Sequence, residues 1–187
     1  EAAGWIQPWS ELLSPIDRRD NAPLKGISVK HPDDISAVLD VALDQNYQFL
    51  FLDATGGNAD WASELMNQPR FELLSETVIE MRRRKKEEAL VLIYSGGVRS
   101  GTDAARLIAL GANAVVYGVA AALALGGEIG QSQIEWRSDR APGERTDGLT
   151  SILNAHAGEA SMMARCTGKT CLHNLEPEDL RSVTLAT

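Results

Sequence analysis

Aromatic residues, cysteines, positive charge and long apolar runs are all scarce in this chain, and each shortage removes a class of protein. Aromatics make up 5% of the 187 residues, and there are two cysteines. Two cysteines in a chain of this length do not build a disulfide framework. No apolar stretch reaches the ~20 residues of a membrane-spanning helix. The alanine-rich run Ala112–Gly127 comes nearest, and Asn113 and two glycines interrupt it. Lys and Arg number 18 against 26 Asp and Glu, a net charge of −8, which argues against a general nucleic-acid binder. No signal peptide stands at the start, so a cytoplasmic protein free of membrane and nucleic acid is the default expectation. Glu1 at one end and the helix-like Ser182–Thr187 at the other read as cut ends, as in a fragment or a processed chain.

What is present points to α/β packing. Apolar residues make up 44% of the chain, enough for one sizeable core, and alanine, leucine and glycine are plentiful. Residues 1–22, with two prolines, two tryptophans and little periodicity, read as a connecting segment. A repeating pattern follows. A short strand is predicted over 24–29. Pro32 then suits a first helical position, with Asp33 and Asp34 in the first turn, where acids favour the helix dipole. Ile35, Val38, Leu39, Ala42 and Leu43 mark one helical face. Phe49–Leu52 is the fully apolar run of a buried parallel strand, and Asp53-Ala-Thr-Gly-Gly57 turns away from its end. A short helical piece is predicted around 61–66. Leu74, Val78 and Met81 carry the next helix, which ends in Arg82-Arg-Arg-Lys-Lys86. Strands over 90–94 and 114–117 flank a helix over 103–110, with Gly111 placed to end that helix in a left-handed conformation. A further helix starts over 120–125.

Four βα units in series imply a parallel sheet with crossover helices. A complete (β/α)8 TIM barrel needs eight strands. The expected architecture is therefore the C-terminal half of such a barrel over 23–127, with a helical extension over 128–187 that carries a two-cysteine loop. An open doubly wound sheet is the structural alternative. Half a barrel leaves apolar surface uncovered, so the missing half or a partner subunit is expected.

The most informative stretch is Val91–Gly118, VLIYSGGVRSGTDAARLIALGANAVVYG. Gly96 and Gly97 permit backbone angles closed to other residues and let main-chain N–H groups approach an anion. Arg99 offers a planar fork of donors suited to phosphate. Ser100 or Thr102 can cap the helix that begins here, whose free N–H groups favour negative charge. Gly118 brings the same freedom to the end of the next strand. In barrels, adjacent strand ends of this kind commonly hold a phosphate. The opposing reading is a tight strand-to-helix turn with no ligand.

At these residues the chain resembles the FMN-dependent barrels, among them the 2-hydroxy-acid oxidases and the flavin domain of glutamate synthase. The resemblance rests on Gly96-Gly-Val-Arg-Ser-Gly-Thr-Asp103, Ala109-Leu-Gly-Ala112 and Tyr117-Gly118. Ala120-Ala-Ala-Leu-Ala-Leu-Gly126 is similar to the glutamate synthase segment after its last strand. Met162-Met-Ala-Arg-Cys166, with Cys171, His173 and Asn174, is similar to that family's cysteine-bearing stretch, and Thr167–Leu180 is closer still to the glutamate-synthase-like subunit of N-methylglutamate synthase. The resemblance implies FMN as cofactor, with Ser95, Gly96, Gly97, Arg99, Gly118 and Val119 around its phosphate and Asp53 in polar contact with flavin or substrate. It implies a catalytic lysine near the preceding strand that stabilises the reduced ring; Lys25 and Lys30 both lie near, and Lys30, at the strand's C-terminal end, is the one assigned. The implied reaction reduces a 2-imino acid, formed from 2-oxoglutarate and ammonia or an amine, to glutamate or an N-substituted glutamate, as in amino-acid biosynthesis. The family's iron–sulfur cluster takes three cysteines. Cys166 and Cys171 match the last two positions, but Ala160 stands at the first, so two unpaired thiols are expected rather than a cluster. The turn after Phe49–Leu52 lacks the histidine base of the hydroxy-acid oxidases. Two other classes remain open: a non-catalytic half-barrel assembly subunit, and a barrel for another phosphorylated ligand.

The remaining signals read as structure. Arg82–Lys86 is a solvated helix end, His31 carries no chemistry, and His156 is a packing or surface residue on a helix predicted over 146–165. A structural role is favoured for His173. The polar segment from Trp136 to Arg145 is a binding loop or a connector.

Overall fold

Each apolar run becomes a parallel strand, and each amphipathic run becomes the helix that returns the chain to the start of the next. The structure, a computed structural model, describes residues 5–8, 24–55, 69–130, 134–136 and 139–181. The helical piece expected around 61–66 and the terminal run 182–187 lie outside the described residues. In chain order come β1 (Trp5–Pro8), β2 (Lys25–Val29), α1 (Ile35–Asp44), β3 (Phe49–Asp53) and α2 (Phe71–Arg83). They are followed by β4 (Val91–Ser95), α3 (Gly101–Ala109), β5 (Ala114–Val116) and α4 (Val119–Ala124). A hairpin of β6 (Gly127–Ile129) and β7 (Ile134–Trp136) leads to α5 (Pro142–Cys166) and two short 3-10 turns.

All of β1 to β5 are parallel, and their order across the sheet is their order in the chain. A doubly wound sheet reverses its strand order at a switch point. This sheet does not, so right-handed crossovers place the helices on one side, as in a barrel. The open-sheet alternative is thereby excluded, and the chain is part of a (β/α) barrel. The strand count differs from expectation. Residues 1–22 read as a connector, yet Trp5–Pro8 pairs with β2 from Trp5 opposite Lys25 to Pro8 opposite Ser28. Four residues ending in proline give too little pattern to mark a strand, although proline is tolerated at a sheet edge. The boundary expected at 127/128 falls inside β6.

The core lies between sheet and helices. Leu50 and Leu52 of β3 and Leu92 and Tyr94 of β4 are buried, alternating with Phe51 and Ile93, which are half-buried. Period-two alternation puts the two sets on opposite faces. The first set packs with Val38 and Leu39 of α1, Leu74 of α2 and Leu107 of α3, all fully buried. Each such side chain contributes about 1.5–3 kcal/mol on burial. The second set faces the barrel interior, which these five strands do not close. The expected faces of α1 and α2 hold, with Thr77 buried in α2 by donating to the Leu73 carbonyl at 2.7 Å. Gly26 is fixed by packing, because a Cβ there would sit 2.0 Å from the Phe49 ring opposite.

Helix ends set the loop geometry. Gly111 (φ +114°) closes α3 as expected, with Gly111 N–H on the Ile108 carbonyl and Ala112 N–H on that of Leu107, the Schellman pattern. Asn46 and Lys85 close α1 and α2 in the same way at positive φ. The basic run at the end of α2 is not uniformly solvated. Arg84 is largely buried, pairs with Glu80 and Asp40, and bonds Ser36 of α1. The guanidiniums of Arg83 and Arg84 hold the Glu80 carboxyl down at about 2. α5 starts four residues earlier than its periodicity implies, because Pro142 takes the first position and Glu144 reaches back to the Ala141 N–H at 3.2 Å.

Candidate functional site

The parallel register brings the C-terminal ends of the strands together, which is where barrels carry their chemistry. Ser95 pairs with Asp53 on one side and Val116 on the other. The Gly96-Gly97 turn therefore lies between the Ala54-Thr55 turn and Tyr117-Gly118. Of the expected site residues, Asp53, Ser95, Gly96, Gly97, Arg99, Gly118 and Val119 all fall in this row of strand ends, and Lys30 follows β2 in it.

Gly96 has φ +127° and Gly97 φ +68°, angles that side-chain-bearing residues rarely adopt. A Cβ on Gly96 would stand 2.8 Å from the Ala54 carbonyl carbon, so the turn packs directly on its neighbour's backbone. Ala54 N–H donates to the Ser95 carbonyl at 2.8 Å and locks the two turns together. Val98 is fully buried in the core and anchors the turn from below. Gly96, Gly97 and Val98 are all buried, yet among the described residues no protein acceptor faces the amides of Gly97 and Val98. Buried amides are nearly always paired. Two in succession, beside an arginine, fit an anionic ligand group, and the terminal phosphate of FMN has the required charge and acceptors.

Arg99 is tied down at both ends. Its N–H donates to Asp103 Oδ2 at 3.2 Å, and its Nε lies 3.5 Å from the same oxygen. Asp103, 4% exposed, also faces Arg106 at 3.8 Å. Ser100 caps α3 by accepting the Asp103 N–H at 3.1 Å. The helix does not, however, offer its free end to a ligand as expected. Glu159 of α5 accepts the Gly101 N–H at 2.8 Å and the Thr102 hydroxyl at 2.5 Å. Thr102, then the amides of Gly101 and Thr102, hold the Glu159 carboxyl below the usual carboxylate range. Glu159 carries no sequence signal, standing 58 residues from Gly101 on a polar helix. Asp103 stood in the quoted motif without an assigned role.

At the neighbouring strand ends, Lys30 Nζ lies 3.6 Å from Asp53 Oδ2, and the lysine side chain is 44% exposed. The other Asp53 oxygen accepts the Thr55 amide at 3.1 Å and the Thr55 hydroxyl at 2.5 Å. Lys30, Asp53 and Thr55 thus form one polar group beside the glycine turn. Gly118 is exposed and caps α4, and Val119 is buried. Tyr117 donates to the Ser100 carbonyl at 3.4 Å, and its ring meets His156 of α5 with centroids 4.7 Å apart. Burial, then the charges of Glu159 and Asp103, push the Tyr117 phenol up.

The cysteines lie elsewhere. Cys166 and Cys171 are exposed, and Cys171 Sγ is 3.8 Å from His173 Nδ1. Ala160 is buried against Ala105 and Ala109 of α3. Among the described residues, no helix is long and apolar enough to cross a membrane.

Fold and topology define part of a (β/α) barrel domain, and the likeness to known proteins supports one of the FMN-binding kind. Residues 69–135 match the model of the FMN-dependent dehydrogenase family. The fold is shared, at TM-score 0.65 and 18% identity, with a flavocytochrome b2 variant with pyruvate bound, over 95% of this chain and 39% of that one. It is shared at TM-score 0.58 and 21% identity with the flavin-binding domain of baker's yeast flavocytochrome b2, over 82% of this chain and 33% of that one. In sequence the chain is 30% identical to a glutamate synthase large subunit-like protein of Rhizobium meliloti (strain 1021), over 70% of this chain and 36% of the relative. The chain thus spans about a third of the length of that relative.

Proposed function

We propose that this chain forms the phosphate-binding part of an FMN-dependent oxidoreductase of glutamate synthase type, which reduces a 2-imino acid to glutamate or an N-substituted glutamate. The observation that carries the reading is the buried Gly97-Val98 amide pair beside Arg99. The likeness to a glutamate synthase large subunit-like protein supports the glutamate branch. Bound FMN supplies hydride chemistry that no side chain can perform. The chain contributes position and charge. Gly96, Gly97 and Val98 would present amides to the phosphate, with Ser95, Arg99, Gly118 and Val119 around it. Lys30, half-exposed at the mouth of the sheet, would place its ammonium where negative charge develops on the reduced ring, with Asp53 orienting it. Substrate, in this reading, is 2-oxoglutarate with ammonia or an amine, and the two electrons that the reduction consumes would reach the bound FMN from a two-electron donor or a partner subunit. The half-buried inner face of Phe51 and Ile93 calls for further strands, from the rest of a longer chain or a partner subunit.

Titration of the full chain with FMN, followed by quenching of flavin fluorescence, tests the reading. Saturable binding that Arg99→Ala weakens at least tenfold supports it. A colourless protein that takes up no added FMN favours the non-catalytic assembly subunit.

A further inference from the structure

We propose that Glu159 is a positioning residue for the phosphate cradle, holding the start of α3 and through it the Gly96–Ser100 turn. The inference rests on the reading of that turn as the FMN-phosphate site.

The first turn of a helix leaves amides without partners in the helix. In α3 the protein claims them. Ser100 Oγ takes the Asp103 N–H at 3.1 Å, and Glu159 takes Gly101 at 2.8 Å together with the Thr102 hydroxyl at 2.5 Å. A carboxylate at a helix N-terminus is also well placed for the dipole. Two consequences follow. A ligand's phosphate is excluded from the helix end and directed to the amides of the turn before it. That turn is then pinned between fixed points: Gly96 against Ala54, Val98 in the core, Ser100 under the Tyr117 hydroxyl, and Gly101 under Glu159.

The approach of α5 makes this anchor rigid. A Cβ on Gly101 would stand 2.1 Å from the His156 carbonyl oxygen and 2.7 Å from Ala160 N, so the two backbones touch. Ala105 and Ala109 of α3 pack on Ala160 and Ala164 below the contact. Small residues let the helices close, and the closure delivers the Glu159 carboxylate to its donors. An element outside the strand-and-crossover pattern thereby sets the geometry of a site to which its own side chains are not assigned.

The test compares the full chain with Glu159→Ala and Glu159→Gln, reading the FMN dissociation constant and amide hydrogen exchange at residues 97–103. Glu159→Ala is expected to weaken FMN binding about tenfold and to speed exchange at Gly101–Asp103. Glu159→Gln, which keeps an acceptor for Gly101 and a donor for the Thr102 oxygen, is expected to recover most of that affinity. Both proteins should lose affinity as the FMN phosphate takes up its second proton at about pH 6. The wild type should lose more at lower pH as the Glu159 carboxyl is neutralised, an added loss that Glu159→Gln should lack. Unchanged FMN affinity in Glu159→Ala, with the wild type binding normally, overturns this role and leaves the flavin reading intact. A wild type that binds no FMN overturns the flavin reading itself, and this role with it. Should Glu159→Ala fail to fold, the Gln variant decides: a pH profile identical to wild type overturns the role.

Discussion

Replacing Gly101 with alanine is the substitution for which local and tertiary reasoning disagree in sign. In an exposed helix, alanine in place of glycine adds about 1 kcal/mol of stability. At the first residue of α3 the new Cβ would stand 2.1 Å from the His156 carbonyl oxygen and 2.7 Å from Ala160 N. Both are backbone atoms of α5 and cannot rotate away. Relief requires α5 to retreat by on the order of 1 Å in an interior packed as densely as a crystal. Overpacking of this kind costs about 1–3 kcal/mol. The retreat also stretches the Glu159 bonds to Gly101 and Thr102 and loosens Ala160 and Ala164 from Ala105 and Ala109. Discounted for solvent around a half-exposed carboxylate, those bonds add about 1–2 kcal/mol. Set against the gain of about 1 kcal/mol in helix propensity, the expected net loss is about 1–4 kcal/mol, a fall in Tm of roughly 2–15 °C for a chain of this size. Urea and thermal melts followed by circular dichroism measure it. A Gly101→Ala chain as stable as wild type, or more stable, would show that α5 does not press on α3 at this residue.

Other outcomes follow from single contacts. Leu107→Ala, at a fully buried position, is expected to lower the urea midpoint by an amount equivalent to about 2–5 kcal/mol. Tyr94 is fully buried, donates to the Arg70 carbonyl at 3.0 Å, and its phenol is pushed up to about 12 by burial. The neutral form is the native one, so its contribution is complete below pH 10 and is lost as pH rises towards 12; alkaline melts of wild type and Tyr94→Phe should differ in that window. The Glu80 carboxyl, held at about 2 by Arg83 and Arg84, stabilises the fold above its ordinary value of 4.5 and loses that effect as pH falls towards 2. Glu80→Gln should flatten acid melts over the same range. Lys30→Met is expected to leave FMN binding within twofold of wild type and to slow flavin reduction, read by stopped-flow bleaching of the flavin absorbance.

The local elements were legible in the residues because their causes are local. Ile35, Val38, Leu39 and Ala42 repeat at helical spacing and are the buried face of α1. Gly111 stands where α3 must turn left-handed, and it does. The glycine turn before Arg99 was visible because two successive residues at positive φ call for glycine. Trp5–Pro8 was missed as a strand because four residues carry too short a period to detect. Sequential strand order, which separates a barrel from a doubly wound sheet, is a property of pairing between segments that no single segment encodes. The pairing of Lys30 with Asp53 depends on register between β2 and β3, since one step of slip reverses every side chain. Glu159 at the start of α3 depends on how closely two helices pack, which alanines and one glycine permit but do not announce. The residues by themselves determined four of the five parallel strands, the helices between them and the place of the glycine turn, through periodicity and backbone freedom. Only the tertiary structure decided which side chains meet at the strand ends, because register and helix approach are settled by the packing of the whole core.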